Sequence, residues 1–330
     1  MRVLVVQHDH VSPPGPVGER FADRGYEPVA HPVVPEERFH APNVAVSFPD
    51  PADYDAVVAM GAPWSVYDQE MIGEWVGPEL AFLRQAHRAG VPVLGICFGG
   101  QLLAQAHGGT VTRSSTPELG WCAVESDDEA LVPGGPWFAW HYDGWTLPPD
   151  AVEVARNAAA SQAFVLGRNL AVQFHPELGS AMLDGWLRNG GDRLAVEFGL
   201  DPGRLLEQTR ERDEEGRRRA HRLVDAFLDR VAARPAALSA RADVATDTPA
   251  RYAKQLVSHL GRKLAFTTDG PTSTARLGDG TARIVVGDGV LTLLAEAPDT
   301  EDLERVKDVL GRHLERFGAR NELAVTWTAG

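Results

Sequence analysis

Residues 93–104 read VLGICFGGQLLA. Val91–Ile96 is a short β-type apolar run that leads into this stretch, and Gln101–His107 has the composition of a helix. Between them Cys97 stands in Gly95-Ile96-Cys97-Phe98-Gly99. A buried-type strand that turns sharply into a helix is the building unit of an α/β sheet. The same stretch has the setting of a nucleophile elbow, with cysteine in place of serine. A nucleophile on a tight turn needs glycine where side chains would clash. The helix that follows directs its N-terminal dipole at the sulfur and favours thiolate. The backbone N–H of Phe98 then stands where it can stabilise an oxyanion.

Working outward, the pattern of strand and helix continues. Val3–Val6 and Ala56–Met60 are short apolar runs, separated by a Pro/Gly-rich loop and a helical stretch near Val17–Arg24. Glu79–Ala89 has helical spacing and ends at Gly90, a C-cap signal. Leu170–Phe174 is a later strand, and residues 182–233 read as helical, with Ala220, Leu223, Val224, Phe227, Leu228 and Val231 on one face. Strands apolar throughout, alternating with helices, predict a mainly parallel open sheet covered on both faces.

A thiolate nucleophile needs a base, and the base an orienting group. The stretch AVQFHPELG supplies His175 just after a strand and Glu177 two residues on, with Pro176 between them. Met60-Gly61-Ala62-Pro63 follows another strand and offers a loop whose backbone N–H could approach a substrate. Taken singly, Cys97 is a small buried residue, His175 a strand-end histidine and Glu177 a surface acid. Their joint occurrence at strand ends of one parallel sheet, where catalytic groups of open α/β sheets gather, favours the chemical reading.

GICFGGQLLA, MGAP and QFHPE together resemble the class I (triad) glutamine amidotransferase domain, over roughly residues 1–235. The resemblance implies a flavodoxin-like sheet with Cys97 as nucleophile, His175 as base and acid, and Glu177 as orienter. It implies a γ-glutamyl thioester that releases ammonia and then glutamate. Gly61 and Phe98 match the backbone oxyanion donors, and Gln101 a position that helps hold glutamine. Ala62 stands where many members have a second glycine; an N–H donor needs no side chain. WHYD, residues 140–143, resembles a stretch near the glutamine pocket, which adds His141 and Asp143 as substrate contacts. Three functions follow: ammonia supply to a synthetase in trans, hydrolysis or transfer of another γ-glutamyl amide or hydrazide, and non-catalytic binding of a γ-glutamyl ligand.

The stretch ARPAALSARAD, residues 233–243, breaks the helical pattern with Pro235 and small residues, and residues 236–242 within it read as a linker. Residues 243–330 form a unit of their own. A helix begins at Pro249, capped by Asp247 or Thr248. Strands follow at Lys263–Thr267, Thr281–Val286 and Val290–Ala295, then a helix at Glu301–Phe317 and a last strand at Leu323–Thr328. This is a small α+β domain with helices on one face of an antiparallel sheet. TPARYAKQLVSHLGRK and LERFGARNELAVTW resemble a bacterial domain of unknown function, numbered 2218, which brings no chemistry. Docking a partner, shaping the substrate entrance and homo-oligomerisation are the roles open to it.

The net charge of −14 and the lack of a broad basic surface argue against nucleic acid. Arg217–Arg219 follows Asp213–Glu215 and reads as a solvated helix face. Two cysteines in unlike contexts suggest no disulfide framework and a reducing cytoplasm. The first apolar run is too short for a signal or membrane segment. No phosphate loop or dinucleotide fingerprint is present, and no cofactor is expected. His8 and His10 hint at a metal pair, but the resemblance covers them without metal, and none is expected. Cys122 reads as a buried strand residue.

Overall fold

Strand β1 (Arg2–Gln7) shows in its side chains why the sheet must be covered twice: Val3 and Val5 belong to one core and Leu4 and Val6 to another. A strand apolar on both faces is stable only between two layers. In the computed structural model, residues 1–233, 238–319 and 322–329 are described. They form two compact units, residues 1–233 and 234–330.

In the first unit, α1 (Gly15–Asp23) follows β1, then β2 (Glu27–Pro32), β3 (Ala56–Ala59), α2 (Gln69–Arg88), β4 (Val93–Ile96) and α3 (Phe98–Ala106). After these come β5 (Val111–Ser126), β6 (Gly135–Trp145), β7 (Val152–Arg156), β8 (Ser161–Leu166) and β9 (Asn169–Val172). The sheet order is β2-β1-β3-β4-β9-β8-β7-β5-β6. The strands from β2 to β9 pair in parallel. Those beyond β9 pair antiparallel, an extension whose mixed polarity gave no clear strand signal in the sequence. One core draws on α1 and the C-terminal helical segment through Phe21, Leu223, Val224 and Phe227. The opposite core draws on α2 and α3 through Trp75, Leu83, Phe98 and Leu102.

Helix α2 starts ten residues before the predicted Glu79, although Pro78 lies inside it. Proline weakens a helix interior, but Ile72, Trp75, Val76 and Glu79 are all buried on one side, and Asp68 caps the start by accepting from the Met71 N–H. Packing overrides propensity here. The helical end segment is α4 (Ser180–Trp186), a π-type turn with a kink at Asn189 and Gly190, α5 (Asp192–Glu197) and the long α6 (Pro202–Ala226). Arg219, expected on a solvated face, is instead buried: its guanidinium lies 5.4 Å from the Trp137 ring and donates to the Pro136 carbonyl. The aromatic face and the carbonyl accept a cation that the charge pattern alone consigned to water.

In the second unit, β10 (Leu238–Ala245) occupies most of the stretch read as a linker; residues 236 and 237 lie outside the described residues. Its inward positions are Ala240, Ala242 and Val244, which alternate as a half-buried strand requires. Alanine is a weak strand former, so pairing with β14 decides the matter. Helix α7 (Pro249–Leu260) has Thr248 at its N-cap, though that side chain makes no capping bond. Next come β11 (Phe266–Asp269), β12 (Thr272–Leu277), β13 (Gly280–Val286), β14 (Val290–Ala297), α8 (Thr300–Gly318) and β15 (Thr328–Ala329). The antiparallel sheet, order β11-β12-β13-β14-β10-β15, shares its core with both helices. The predicted strand 323–328 is reduced to its end: Leu323 fits against Gly318 and Val325 against Gly311, so these side chains pack on α8 and leave the sheet.

Candidate active site

Parallel register brings the functional positions together. Val6 pairs with Ala59, Ala59 with Gly95, and Ile96 with Val172. His8, Gly61 and Cys97 each lie two residues past such a partner, and Gln173–His175 follow β9. The carboxyl ends of adjacent parallel strands therefore form one edge, the usual location of sites in open α/β sheets.

Cys97 has φ 49° and ψ −104°, a conformation a side chain rarely adopts, at the N-cap of α3. Strain of this kind costs on the order of 1–3 kcal/mol and persists only where the surroundings impose it. They do so here: the Cys97 N–H donates to the Val172 carbonyl at 2.7 Å, and the Gly99 N–H to the Met60 carbonyl at 3.1 Å. A Cβ at Gly99 would stand 2.1 Å from the Ala59 carbonyl oxygen, so only glycine lets α3 approach β3 this closely.

The buried His175 ring lies between Glu177 and Cys97. Its Nδ1 is 2.8 Å from Glu177 Oε1. Its Nε2 has no hydrogen-bond partner among the described residues. Burial disfavours the imidazolium, but the charges of Glu177 and Cys97 outweigh that, and the ring's pKa stands well above its usual value. The loop after β3 closes the group: a Cβ at Gly61 would lie 3.0 Å from His175 Cε1 and 3.8 Å from Cys97 Cβ. The N–H groups of Gly61, Ala62 and Phe98 donate to no other backbone group among the described residues.

Cys97, His175, Gly61 and Phe98 line one pocket of about 390 Å³, together with Ala62, Gln101, His141 and Asp143. Gln101 Nε2 donates to the Asp143 carbonyl and to Gln173 Oε1, each at 3.3 Å. The Asp143 carboxylate accepts from Ser65 Oγ at 2.5 Å and Tyr67 OH at 2.9 Å. His141 bridges the Asp143 carbonyl at 3.0 Å and Glu118 Oε2 at 3.1 Å. Burial raises the pKa of Glu118, but its bonds from His141 and Asn157 prevail and lower it.

Several residues in or beside the pocket were not singled out from sequence. Gln173, whose Nε2 is 3.6 Å from Cys97 Sγ, stands inside the QFHPE motif itself. Ser65 and Tyr67 follow MGAP directly, and proximity to that motif was the available signal. Trp186, 5.0 Å from the His175 ring, comes from the helical end segment and left no local sign. The two N-terminal histidines part company: His8 is enclosed beside Glu79, whereas His10 Nε2 is 4.0 Å from Glu36 near the surface. Cys122 is only half-buried, on β5; burial and the Glu118 charge push its thiol pKa up to about 12.

Fold and site together define a class: an open α/β sheet with a strained cysteine elbow facing a histidine–carboxylate pair. The comparisons narrow it. Residues 33–189 match the family described as glutamine amidotransferase class-I, and residues 241–328 match that described as uncharacterized protein conserved in bacteria (DUF2218). One subunit of the glutamine-hydrolysing GMP synthase from Sulfurisphaera tokodaii is 38% identical over 136 residues, which cover 38% of this chain and 69% of that one. A GMP synthase from Aeropyrum pernix is 39% identical over 112 residues, 30% of this chain and 22% of the relative. The chain thus spans about a fifth to a quarter of the length of the first such synthases it matches, 22% and 24%. A crystal structure of a glutamine amidotransferase from Methylobacillus flagellatus aligns with TM-score 0.60 and 26% identity, over 69% of this chain and 94% of that one. The chain belongs to the class-I glutamine amidotransferase family. No helix among the described residues is long and apolar enough to cross a membrane.

Proposed function

We propose that the first unit hydrolyses the side-chain amide of glutamine through a thioester on Cys97 and releases ammonia, which a synthetase acting in trans consumes. The observation that carries this is the meeting in one pocket of Cys97, His175 held from behind by Glu177, and backbone N–H groups that have no backbone acceptor among the described residues.

In this reading the Cys97 thiolate attacks the amide carbon. The oxyanion is received by the N–H groups of Phe98 and of the Gly61–Ala62 segment, the kind of preorganised donors that lower such barriers most. His175, protonated, gives its proton to the departing nitrogen, and ammonia leaves. The neutral ring then takes a proton from water, which attacks the thioester and frees glutamate. Glu177 holds the ring with Nε2 free for these transfers and stabilises its charged form. Gln101, Ala62, His141 and Asp143 would contact the glutamyl part. Leu194, Val196, Phe198, Met71 and Tyr67 are exposed, and Met71 and Leu194 line the pocket. Such an apolar rim suits a partner that receives ammonia.

One observation favours a second reading, a larger γ-glutamyl amide or hydrazide as substrate. The wall beside His175, the proton donor of this reading, carries Trp186 and Trp140, whose rings are 6.1 Å apart. An apolar amine would pack there.

The test is glutamate release from glutamine and from a panel of γ-glutamyl amides that includes anilides, with Cys97→Ala as control. Turnover of glutamine, lost in the variant, supports the first reading. Turnover of anilides alone supports the second. Release that survives Cys97→Ala contradicts both.

A further inference from the structure

His8 is fully enclosed, as is its partner Glu79, yet neither lines the pocket. Its Nε2 stands 3.0 Å from both oxygens of Glu79, and its Nδ1 is 3.1 Å from the Gly61 carbonyl oxygen. A carbonyl oxygen only accepts, so Nδ1 carries a proton however the pair shares the other one. The ring is stacked on Trp75, centroids 5.5 Å apart, and meets the edge of Phe98 at 5.0 Å. It has no room to turn.

A buried ion pair of this sort is weak as a source of stability, because desolvation offsets the attraction and apolar residues of similar volume do as well or better. Its position suggests another use. The peptide plane is rigid and trans, so the Gly61 carbonyl and the Ala62 N–H point in opposite directions. The carbonyl is held by His8, away from the pocket; the N–H is thereby turned toward the space that Gly61, Ala62 and Cys97 line. Phe98, which lines the same pocket, packs on the same imidazole.

We infer that His8, locked by Glu79, is a positioning residue for the oxyanion donor: it aims the Ala62 N–H at the site where the substrate's charge develops. This rests on the hydrolytic reading given above. Burial opposes the charged ring, but Glu79 prevails and raises its pKa, in keeping with a permanent donor.

The experiment compares the full chain with the double variant His8→Leu/Glu79→Met and with His8→Asn, whose amide nitrogen stays near the place of Nδ1. Three quantities are read: kcat and KM for the best γ-glutamyl amide, alkylation of Cys97 by iodoacetamide, and affinity for a glutamate γ-semialdehyde. Alkylation develops no oxyanion, whereas the aldehyde adduct carries that oxygen and needs no turnover. Loss of one oxyanion donor typically lowers kcat by about 10²–10³-fold. The double variant is expected to fold, lose kcat on that order and bind the aldehyde more weakly. Its KM should stay within about threefold of wild type and its alkylation rate should be unchanged. His8→Asn is expected to recover at least about tenfold of the loss in kcat. Undiminished kcat and aldehyde affinity in a folded double variant would overturn the inference. So would alkylation falling in step with kcat, or failure of both variants to fold, either of which assigns the pair to the core alone. Wild-type protein that neither turns over any amide nor binds the aldehyde contradicts the hydrolytic reading itself.

Discussion

At the scale of the residue, His175 is the group whose state depends most on its neighbours. Its pKa is raised, so the stability it contributes is complete below its unfolded value, about 6.5, and is lost as pH rises through the folded value. Glu177→Gln removes the main charge that raises it. The imidazole midpoint, followed by proton NMR, is expected to fall in that variant. The melting-temperature deficit of the variant is expected to be largest below about pH 6.5 and to narrow above it. Amide turnover should drop on the order of 10²-fold or more, as for other triads that lose their orienter. An unchanged midpoint would separate Glu177 from the titration of the ring. The grouping of Cys97, His175 and Glu177 was legible because the roles proposed for them demand particular side chains next to strand ends. His8 was not: in QHDH it only hints at a metal pair with His10, and its partner Glu79 is seventy-one residues away.

At the scale of the element, the elbow depends on how closely α3 approaches β3. Gly99→Ala would press a methyl group on the Ala59 carbonyl and is expected to destabilise by about 1–3 kcal/mol. Gly185→Ala, within α4 where a Cβ meets nothing, should instead stabilise by roughly 0.5–1 kcal/mol. Thermal denaturation of the two variants checks the contrast; equal effects would mean that the close approach carries no strain. The parallel half of the sheet could be read from its continuous apolar runs, since strands buried on both faces leave no polar residue to confuse the period. The antiparallel half, β5 to β8, is partly exposed and mixes polar residues into its strands, as in the pattern of Val111–Ser126. The strand β10 hid for a related reason. Its inward positions are mostly alanines, which carry little signal until a neighbour pairs with them.

At the scale of the whole molecule, every residue that lines the pocket falls between Asp9 and Leu194, inside the first unit. Each unit has a core of its own. Calorimetry is therefore expected to resolve two transitions, with the three-state behaviour usual for two domains. A chain ending at residue 233 should keep kcat for amide hydrolysis. A raised KM in that truncation would assign the second unit to the substrate entrance, and an unchanged one would leave docking or self-association. The central claim, however, is chemical. It is tested most directly by quenching the enzyme in acid during turnover of glutamine or its best γ-glutamyl amide and mapping the adduct by peptide mass. The account predicts a γ-glutamyl group on the peptide that carries Cys97, absent from Cys97→Ala. Glutamate released with the adduct on Cys122, or with no acyl-enzyme while Cys97→Ala stays active, would contradict it.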